Sequence, residues 1–218
     1  MTHSQTRSQT LSPDRIRQLV SPYLIDSIDD SSINQLGSYL NLLVKWNAKT
    51  NLTAIREPEE IVRQHFGESL FAGFQLARQL TADASLLDFG SGAGFPGLPI
   101  QILLPQLNVT LTESQSKKSA FLREAVRTLN LPTTIYAGRV EDMPKAQRFD
   151  VVTLRAVDNM QAALAAATPR LTAAGTLAVL TTENQRKAVS KATPDIVWAD
   201  AIAIPQSDQR ILLLGHPF

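Results

Sequence analysis

A glycine-rich loop is the part of this sequence whose residue types are best suited to bind a ligand. It reads Leu86-Leu87-Asp88-Phe89-Gly90-Ser91-Gly92-Ala93-Gly94-Phe95-Pro96-Gly97, with an apolar strand at its start and a proline-opened helix after it. Glycines allow the backbone to turn sharply and to approach a ligand closely. The amino terminus of the following helix favours electron-rich groups. The pattern therefore predicts a nucleoside-containing cofactor held at the end of a strand.

Two kinds of cofactor are compatible with this loop. Gly92, Gly94 and Gly97 satisfy the G-x-G-x-x-G pattern of dinucleotide-binding proteins, and Glu113 could hold a ribose hydroxyl in either case. Asp88 disfavours NAD, because its carboxylate would face a pyrophosphate. The same carboxylate could accept hydrogen bonds, through water, from the amino group of another cofactor. The loop therefore favours a methyltransferase, and a nicotinamide enzyme stays open as the alternative.

The elements that must position this loop indicate an α/β fold. From Ser85 onward, short apolar runs alternate with helical segments, which predicts a parallel sheet with helices on both faces. The last two apolar runs, 196–204 and 210–215, are joined by only the five residues 205–209, too few for a crossover helix. We therefore expect them to pair as an antiparallel hairpin at the sheet edge. Such a hairpin is typical of methyltransferase sheets rather than dehydrogenase sheets.

The residues before the sheet have a helical pattern. Ser31 or Ser32 is predicted to cap a helix that ends near Trp46 and Asn47, and Pro58 is predicted to open another. We divide the chain accordingly. The predicted parts are a disordered tail over residues 1–10, a helical N-terminal extension over 11–82 and a catalytic domain over 83–218.

Composition excludes several classes of protein. The 218 residues include no cysteine, which removes disulfide frameworks, thiolate zinc sites and iron–sulfur clusters. The three histidines, His3, His65 and His216, are scattered, so we expect no metal. The polar amino terminus lacks the apolar segment of a signal peptide, and no stretch approaches the roughly 18 apolar residues that span a bilayer. We therefore expect a cytoplasmic protein without membrane contact, and a monomer, since no repeated apolar surface pattern suggests a partner.

The charge of the chain is unevenly distributed. The net charge is only +1, so the strongly basic composition of many nucleic-acid binders is absent. Between residues 115 and 155, however, eight basic residues face four acidic ones, a net charge of +4. A patch of this size could steer RNA, although solvated helix faces explain it equally well.

The sequence resembles the bacterial ribosomal RNA small-subunit methyltransferase G family, also called glucose-inhibited division protein B, over roughly residues 35–215. The loop 88–97 carries the first part of the resemblance. The other matching blocks, in the family's order and approximate spacing, are Lys45-Trp46-Asn47 with Asn51-Leu52-Thr53, His65 with Glu68-Ser69-Leu70, Glu113-Ser114 with Lys117-Lys118 and Phe121-Leu122, Arg139-Val140-Glu141, and Arg155-Ala156. Generic methyltransferases lack the Lys-Trp-Asn and Asn-Leu-Thr block, so this block discriminates best.

The resemblance implies a class I S-adenosylmethionine-dependent methyltransferase. This is a Rossmann-like α/β fold with a mostly parallel seven-stranded sheet, an antiparallel C-terminal hairpin and a helical N-terminal extension. The implied reaction is methylation of guanine N7 in 16S ribosomal RNA, free or in the small ribosomal subunit, with S-adenosylhomocysteine as the product. The alternative is a methyltransferase that acts on another RNA, a protein or a small molecule.

Site residues follow from the loop and from the resemblance. By resemblance, the cofactor site would include Gly90, Phe95, Val140, Glu141 and Arg155. The loop adds Asp88, Gly92 and Glu113 to the predicted cofactor site. The predicted RNA contacts are Asn51, Lys117, Lys118 and Arg139.

Arg155 is the predicted catalytic residue. Guanine N7 carries an unprotonated lone pair at neutral pH, so its methylation needs no general base and should depend on positioning. A donor to N7 would occupy the attacking lone pair. We therefore assign Arg155 to the cofactor edge or to guanine O6.

The sequence departs from the family at three places. Leu154 precedes Arg155-Ala156 where the family usually has Ser, and Glu68 stands where Asp is usual. Thr181-Thr182 stands where the fifth strand usually ends in Lys-Gly. The missing lysine affects expected contacts with the RNA backbone more than it affects cofactor binding.

Overall fold

The computed structural model describes residues 11–218, so the tail predicted over residues 1–10 lies outside the described residues. Helices make up the first part of the described chain, as predicted. They are α1 (Pro13–Val20), α2 (Asp30–Asn47), α3 (Pro58–Glu60) and α4 (Glu68–Ala77), with a π-helical segment, Ile61–Gly67, between α3 and α4.

Helix α2 begins two or three residues earlier than the sequence predicts. The prediction of Ser31 or Ser32 as its cap is wrong, because the carboxylate of Asp29 accepts a hydrogen bond from the N–H of Ser32 at 2.7 Å. A charged acceptor makes a stronger cap than a hydroxyl. This hydrogen bond is also the main cause that lowers the pKa of Asp29. The predicted end of the helix, at Asn47, and the predicted helix start at Pro58 are confirmed.

A single mixed sheet and the helices between its strands form the rest of the molecule. Its strands are β1 (Ser85–Phe89), β2 (Asn108–Thr112), β3 (Thr134–Tyr136), β4 (Phe149–Arg155), β5 (Leu171–Thr182), β6 (Ile196–Trp198), β7 (Ile202–Ala203) and β8 (Arg210–Pro217). The helices after β1 are α5 (Gly97–Leu103), α6 (Ser116–Leu129), α7 (Met160–Ala167) and α8 (Arg186–Ala192). The strand order is β3-β2-β1-β4-β5-β8-β6, and β7 also pairs with β8.

The strands β1 to β5 pair in parallel, and β8 runs antiparallel to β5, β6 and β7. The predicted pairing of the two C-terminal apolar runs is therefore confirmed. The run 196–204 forms two short strands instead of one, so the sheet has eight strands rather than seven. The break contains Asp200, an exposed polar residue that interrupts the apolar pattern. The second arm of the hairpin, β8, is the one that lies next to β5.

The topology creates a crevice beside the glycine loop. The chain leaves β1, adds β2 and β3 on one side, and then returns to add β4 on the other side of β1. In open α/β sheets, ligands bind at the carboxyl ends of the strands where the winding direction reverses. The loop 90–96 follows β1 at this point.

The N-terminal helices share their core with the sheet. One buried cluster joins Leu36 and Phe66 from the helical extension to Leu86 and Leu111 in the sheet. A second cluster, which includes Val152, lies in the core beside the later helices. The proposed boundary between residues 82 and 83 stays a prediction. Within residues 11–218, no helix is both long enough and apolar enough to cross a membrane.

Candidate active site

The glycine loop takes backbone conformations that side chains disfavour. Gly90, Gly92 and Gly94 have φ angles of +65°, +57° and +93°, in the left-handed region that favours glycine. Gly97 is needed for close packing instead, because a Cβ there would lie 2.8 Å from Oδ2 of Asp88. The conformation and packing of the loop therefore require glycine at these positions even without a ligand.

Asp88 lies beneath the loop and is completely buried. Its Oδ2 accepts a hydrogen bond from the N–H of Gly97 at 3.1 Å, and its Oδ1 accepts one from the Thr153 hydroxyl at 2.8 Å. Burial raises the pKa of Asp88 to about 6, and these hydrogen bonds oppose the rise. In this arrangement the carboxylate ties the start of α5 to β4. Its predicted contact with a cofactor stays a prediction.

Glu113 follows β2 and faces the glycine loop. Its Oε2 accepts a hydrogen bond from the N–H of Gly92 at 3.0 Å, and its Oε1 accepts one from the N–H of Gln115 at 2.7 Å. Each carboxylate oxygen has two acceptor positions. Glu113 can therefore hold the loop in place and still accept hydrogen bonds from hydroxyl groups of a ligand.

A cavity of about 340 Å³ lies between the loop, the end of β4 and the N-terminal extension. Small-molecule sites have volumes of roughly 300–1,000 Å³. Five of the residues predicted from the sequence line this cavity. They are Gly90, Gly92, Phe95, Lys118 and Arg155.

The other predicted residues lie outside the cavity wall. Val140 is buried and Glu141 is exposed in a short 3-10 turn after β3, and the neighbouring Arg139 is exposed. Asn51 and Lys117 are exposed on the surface. Because β1, β2 and β3 are parallel, the turn after β3 lies at the same sheet edge as the glycine loop.

Several residues that sequence reasoning did not assign to the site also line the cavity. Thr53, Gln64 and Ala156 do so, and so does Arg210 at the start of β8. Thr53 and Ala156 fall in blocks that carry the family resemblance, which could have identified them. Arg210 had no local signal, because only the antiparallel placement of β8 brings it to this edge of the sheet.

Asn47 organises the chain segment that forms one wall of the cavity. Its Oδ1 accepts hydrogen bonds from the N–H groups of Leu52 (2.9 Å) and Thr53 (3.1 Å). Its Nδ2 donates to the carbonyls of Thr53 (3.0 Å) and Ile55 (3.2 Å). These four bonds use the full capacity of the amide. The Lys-Trp-Asn and Asn-Leu-Thr block therefore acts as a structural clasp.

His65 forms the next part of this wall and stays neutral. Its Nε2 lies 2.7 Å from the hydroxyl of Thr53, and its ring centroid lies 4.7 Å from that of Phe95. Burial lowers the pKa of His65 to about 3, with smaller contributions from the charges of Arg155 and Arg210. The imidazole is therefore uncharged at neutral pH and a weak base.

Arg155 and Arg210 share one buried carboxylate. The Nη2 atoms of both residues lie 2.9 Å from Oε2 of Glu68, which is only 3% exposed. Arg155 also donates to the carbonyl of Gln64 at 3.0 Å, and its guanidinium carbon lies 5.8 Å from the centroid of the Phe95 ring. Burial lowers the pKa of Arg155, and the charge of Glu68 opposes this change. The catalytic role of Arg155 stays a prediction.

The sheet order, the glycine loop and the acidic residue after β2 define a class I S-adenosylmethionine-dependent methyltransferase. A methyltransferase of this kind from Aquifex aeolicus has the same fold, with a TM-score of 0.57 at 12% identity over 76% of this chain and 96% of that one. At this identity the similarity shows the fold alone. The predicted fold class is confirmed.

The sequence comparisons identify the family. The profile of rRNA small subunit methyltransferase G (GidB) matches residues 32–205. A protein named ribosomal RNA small subunit methyltransferase G from Streptococcus gordonii is 39% identical over 175 residues, which are 78% of this chain and 73% of the relative. One with the same name from Stenotrophomonas maltophilia is 46% identical over 123 residues, 56% of each chain. The match thus spans little more than half the length of that relative. The chain belongs to the rRNA small subunit methyltransferase G family, which confirms the resemblance.

The clasp around Asn47 can be tested by comparing two asparagines of the same block. We expect Asn47→Ala to lower the free energy of unfolding by about 2–4 kcal/mol, because buried backbone groups lose their partners. Asn51→Ala should change it by less than about 0.5 kcal/mol, because Asn51 is exposed and contacts Arg56. Urea unfolding measures both values. Equal losses from the two variants would contradict the clasp.

The environment of His65 predicts a specific pH dependence. The unfolded chain binds a proton at His65 below a pKa of about 6.5, whereas the folded chain does so only below about 3. Stability from this group is therefore lost as the pH falls below about 6.5. NMR of the imidazole carbons should show a neutral His65 ring as the pH is lowered below about 6.5, for as long as the protein stays folded. The variant His65→Asn identifies the His65 signal by its absence. If the His65 ring protonates in the folded protein at its ordinary pKa, burial does not keep it neutral.

Proposed function

We propose that this protein transfers a methyl group from S-adenosylmethionine to N7 of a guanine in 16S ribosomal RNA. The observation that carries the proposal is the cavity beside the glycine loop, in a chain of this family. Arg155, Arg210 and Lys118 line it, and no Asp or Glu among residues 11–218 does so. Such a site suits a reaction on an anionic polymer that needs no carboxylate as a base.

The residues around the loop fit the cofactor. Gly90 and Gly92 line the cavity and present backbone without side chains, so a ligand can approach closely. Glu113 would accept hydrogen bonds from the ribose hydroxyls. Val140 and Glu141, after β3, would contact the base portion. When bound, S-adenosylmethionine supplies a methyl group made reactive by its attachment to a sulfonium.

The side chains at the cavity are suited to positioning rather than to acid–base chemistry. His65 is neutral and its low pKa makes it a poor base, which agrees with a target nitrogen that has a free lone pair. The rings of His65 and Phe95 pack against each other in the cavity wall, with centroids 4.7 Å apart, where they can exclude water. Arg155 would orient guanine O6 or the cofactor edge. The rate advantage would then come from holding the acceptor in line with the methyl group.

Several further assignments belong to this proposal. Asn51, Lys117, Lys118 and Arg139 would contact RNA, and the substrate would be 16S RNA or the assembled small subunit. We infer a cytoplasmic location and a monomer, with no membrane contact and no metal requirement.

A second candidate is a methyltransferase that acts on another RNA, a protein or a small molecule. The low net charge of +1 favours it. So does Thr181, which stands where a lysine is usual and whose hydroxyl donates to Gln185. Thr181 is also buried, with only 4% exposed, so it offers no contact to a polyanion.

Transfer of a labelled methyl group distinguishes the two candidates. The purified protein is incubated with methyl-labelled S-adenosylmethionine and, in turn, 16S RNA, small ribosomal subunits, tRNA and a protein extract from cells that lack this gene. We expect label in 16S RNA or in the subunit, and chain cleavage specific for N7-methylguanine should locate it. Label in protein or tRNA alone would support the second candidate and reject the first.

The role of Glu113 gives a separate prediction about the cofactor. We expect Glu113→Gln to weaken binding of S-adenosylhomocysteine roughly tenfold or more, because charge-assisted hydrogen bonds are lost. Glu124→Gln is the matched control, since Glu124 lies on α6 and accepts a hydrogen bond from Trp46 on α2, whereas Glu113 accepts one from the glycine loop. Calorimetric titration gives both affinities. Unchanged binding in Glu113→Gln would remove Glu113 from the cofactor site.

A further inference from the structure

We propose that Arg210, held beside Arg155 by Glu68, binds a phosphate of the RNA backbone next to the target guanine. This inference rests on the proposed function. It assigns a ligand to the wall of the cavity formed by the ends of β4 and β8, and it gives Arg210 a role in substrate binding.

The cluster of Arg155, Arg210 and Glu68 carries surplus positive charge. Both guanidiniums contact the same oxygen of Glu68, at 2.9 Å each. One carboxylate neutralises one guanidinium, so the cluster keeps a net charge of +1. His65 beside it is neutral. Two adjacent cations repel each other, and the repulsion is strongest around the buried Arg155, where the dielectric constant is low. An additional anion would relieve that repulsion.

Buried polar atoms without hydrogen-bond partners lie together at this wall of the cavity. Within residues 11–218, three buried side-chain polar atoms have no hydrogen-bond partner, namely Nε of Arg155, Nε of Arg210 and Nδ1 of His65. All three residues line the cavity, and the side chain of Arg155 is only 6% exposed. The two arginine Nε atoms are donors, and Nδ1 of His65 donates or accepts according to the tautomer. Buried polar atoms without partners are costly. Their concentration at one wall indicates that a ligand with several acceptor oxygens belongs there.

The two arginines lie at the ends of different strands of the sheet. Arg155 ends β4, and Arg210 begins β8 opposite Thr182, the last residue of β5. The predicted cofactor residues Glu113 and Val140 follow β2 and β3, on the other side of β1. Arg210 therefore lies beyond Arg155, on the side of the crevice away from Glu113 and Val140. This placement favours the substrate as its ligand.

The chemistry of the pair fits a phosphate. Guanidinium groups present planar sets of N–H donors that match phosphate oxygens, often in pairs. Contacts of this kind position a nucleic acid without reading its sequence. The cofactor is a cation at its sulfonium, so a wall with surplus positive charge is better matched by the polyanionic RNA. A carboxylate of the cofactor is the competing anion, and the test separates the two.

The test compares Arg210→Gln and Arg210→Lys with the wild-type protein and with Arg148→Gln. Arg148 is exposed and precedes β4, so it lies at the opposite edge of the sheet from Arg155. With 16S RNA as substrate, we expect Arg210→Gln to raise KM roughly tenfold and to change kcat less. The slope of log affinity against log salt should fall by about 0.7–1. Binding of S-adenosylhomocysteine should stay unchanged, Arg210→Lys should recover part of the loss, and Arg148→Gln should behave as wild type.

A change on the RNA side makes the test independent of protein stability. A single uncharged methylphosphonate is placed in turn at each phosphate flanking the target guanine of an RNA fragment. We expect one position to weaken binding to the wild-type protein and to have much less effect on Arg210→Gln, because the two changes remove the same contact. If the losses of binding free energy from the methylphosphonate and from Arg210→Gln are fully additive at every position, Arg210 does not contact a phosphate directly.

The remaining outcomes separate this inference from the proposed function. Parallel loss of S-adenosylhomocysteine affinity in Arg210→Gln would assign the pair to the cofactor carboxylate and overturn the phosphate site. Unchanged KM and salt slope, with the wild-type protein methylating 16S RNA, would mean that Arg210 only balances Glu68. A wild-type protein that labels no RNA would reject the proposed function itself, and the phosphate site with it.

Discussion

The arrangement of the candidate site depends on the buried carboxylate of Glu68. Glu68 begins α4, directly after the π-helical segment, and it bonds to Arg155 on β4 and to Arg210 on β8. Removing one member of a buried ion pair leaves an uncompensated charge, which is strongly destabilising. The carboxylate therefore fixes the N-terminal extension against the sheet and places both guanidiniums at the cavity. The π-helical segment adds a second link, because the carbonyl of Gln64 accepts from Arg155.

A group of aromatic side chains provides a second connection between the extension and the loop. Tyr39 on α2 stacks against Phe66 and Phe95, with ring centroids 5.1 Å and 5.5 Å away. The hydroxyl of Tyr39 donates to the carbonyl of Ala93 in the glycine loop. Complete burial raises the pKa of Tyr39 well above its ordinary value, so this donor keeps its proton. The helical extension is thus part of the cavity's construction.

Much of the fold and part of the site could be predicted from local patterns. The glycine loop, the alternation of strands and helices and the C-terminal hairpin all follow from the types and spacing of neighbouring residues. The predictions were weaker where two local solutions compete. Asp29 caps α2 in place of the serines because its charge makes it the better acceptor. The role of Asn47 was also not predicted, because its four hydrogen bonds depend on the path of the following loop.

By itself, the sequence determined the family, the fold class and the loop beside which a cofactor would lie, because short-range spacing encodes all three. Tertiary structure decided which polar side chains face one another. Asp88 lies near the end of the predicted strand but is buried under the loop, whereas Arg210 is distant in sequence and lines the cavity. Arg210 lies opposite Thr182, beside the place where the expected lysine is missing. β8 pairs with β5, which is distant in sequence. The residues around position 210 do not indicate which strand β8 pairs with.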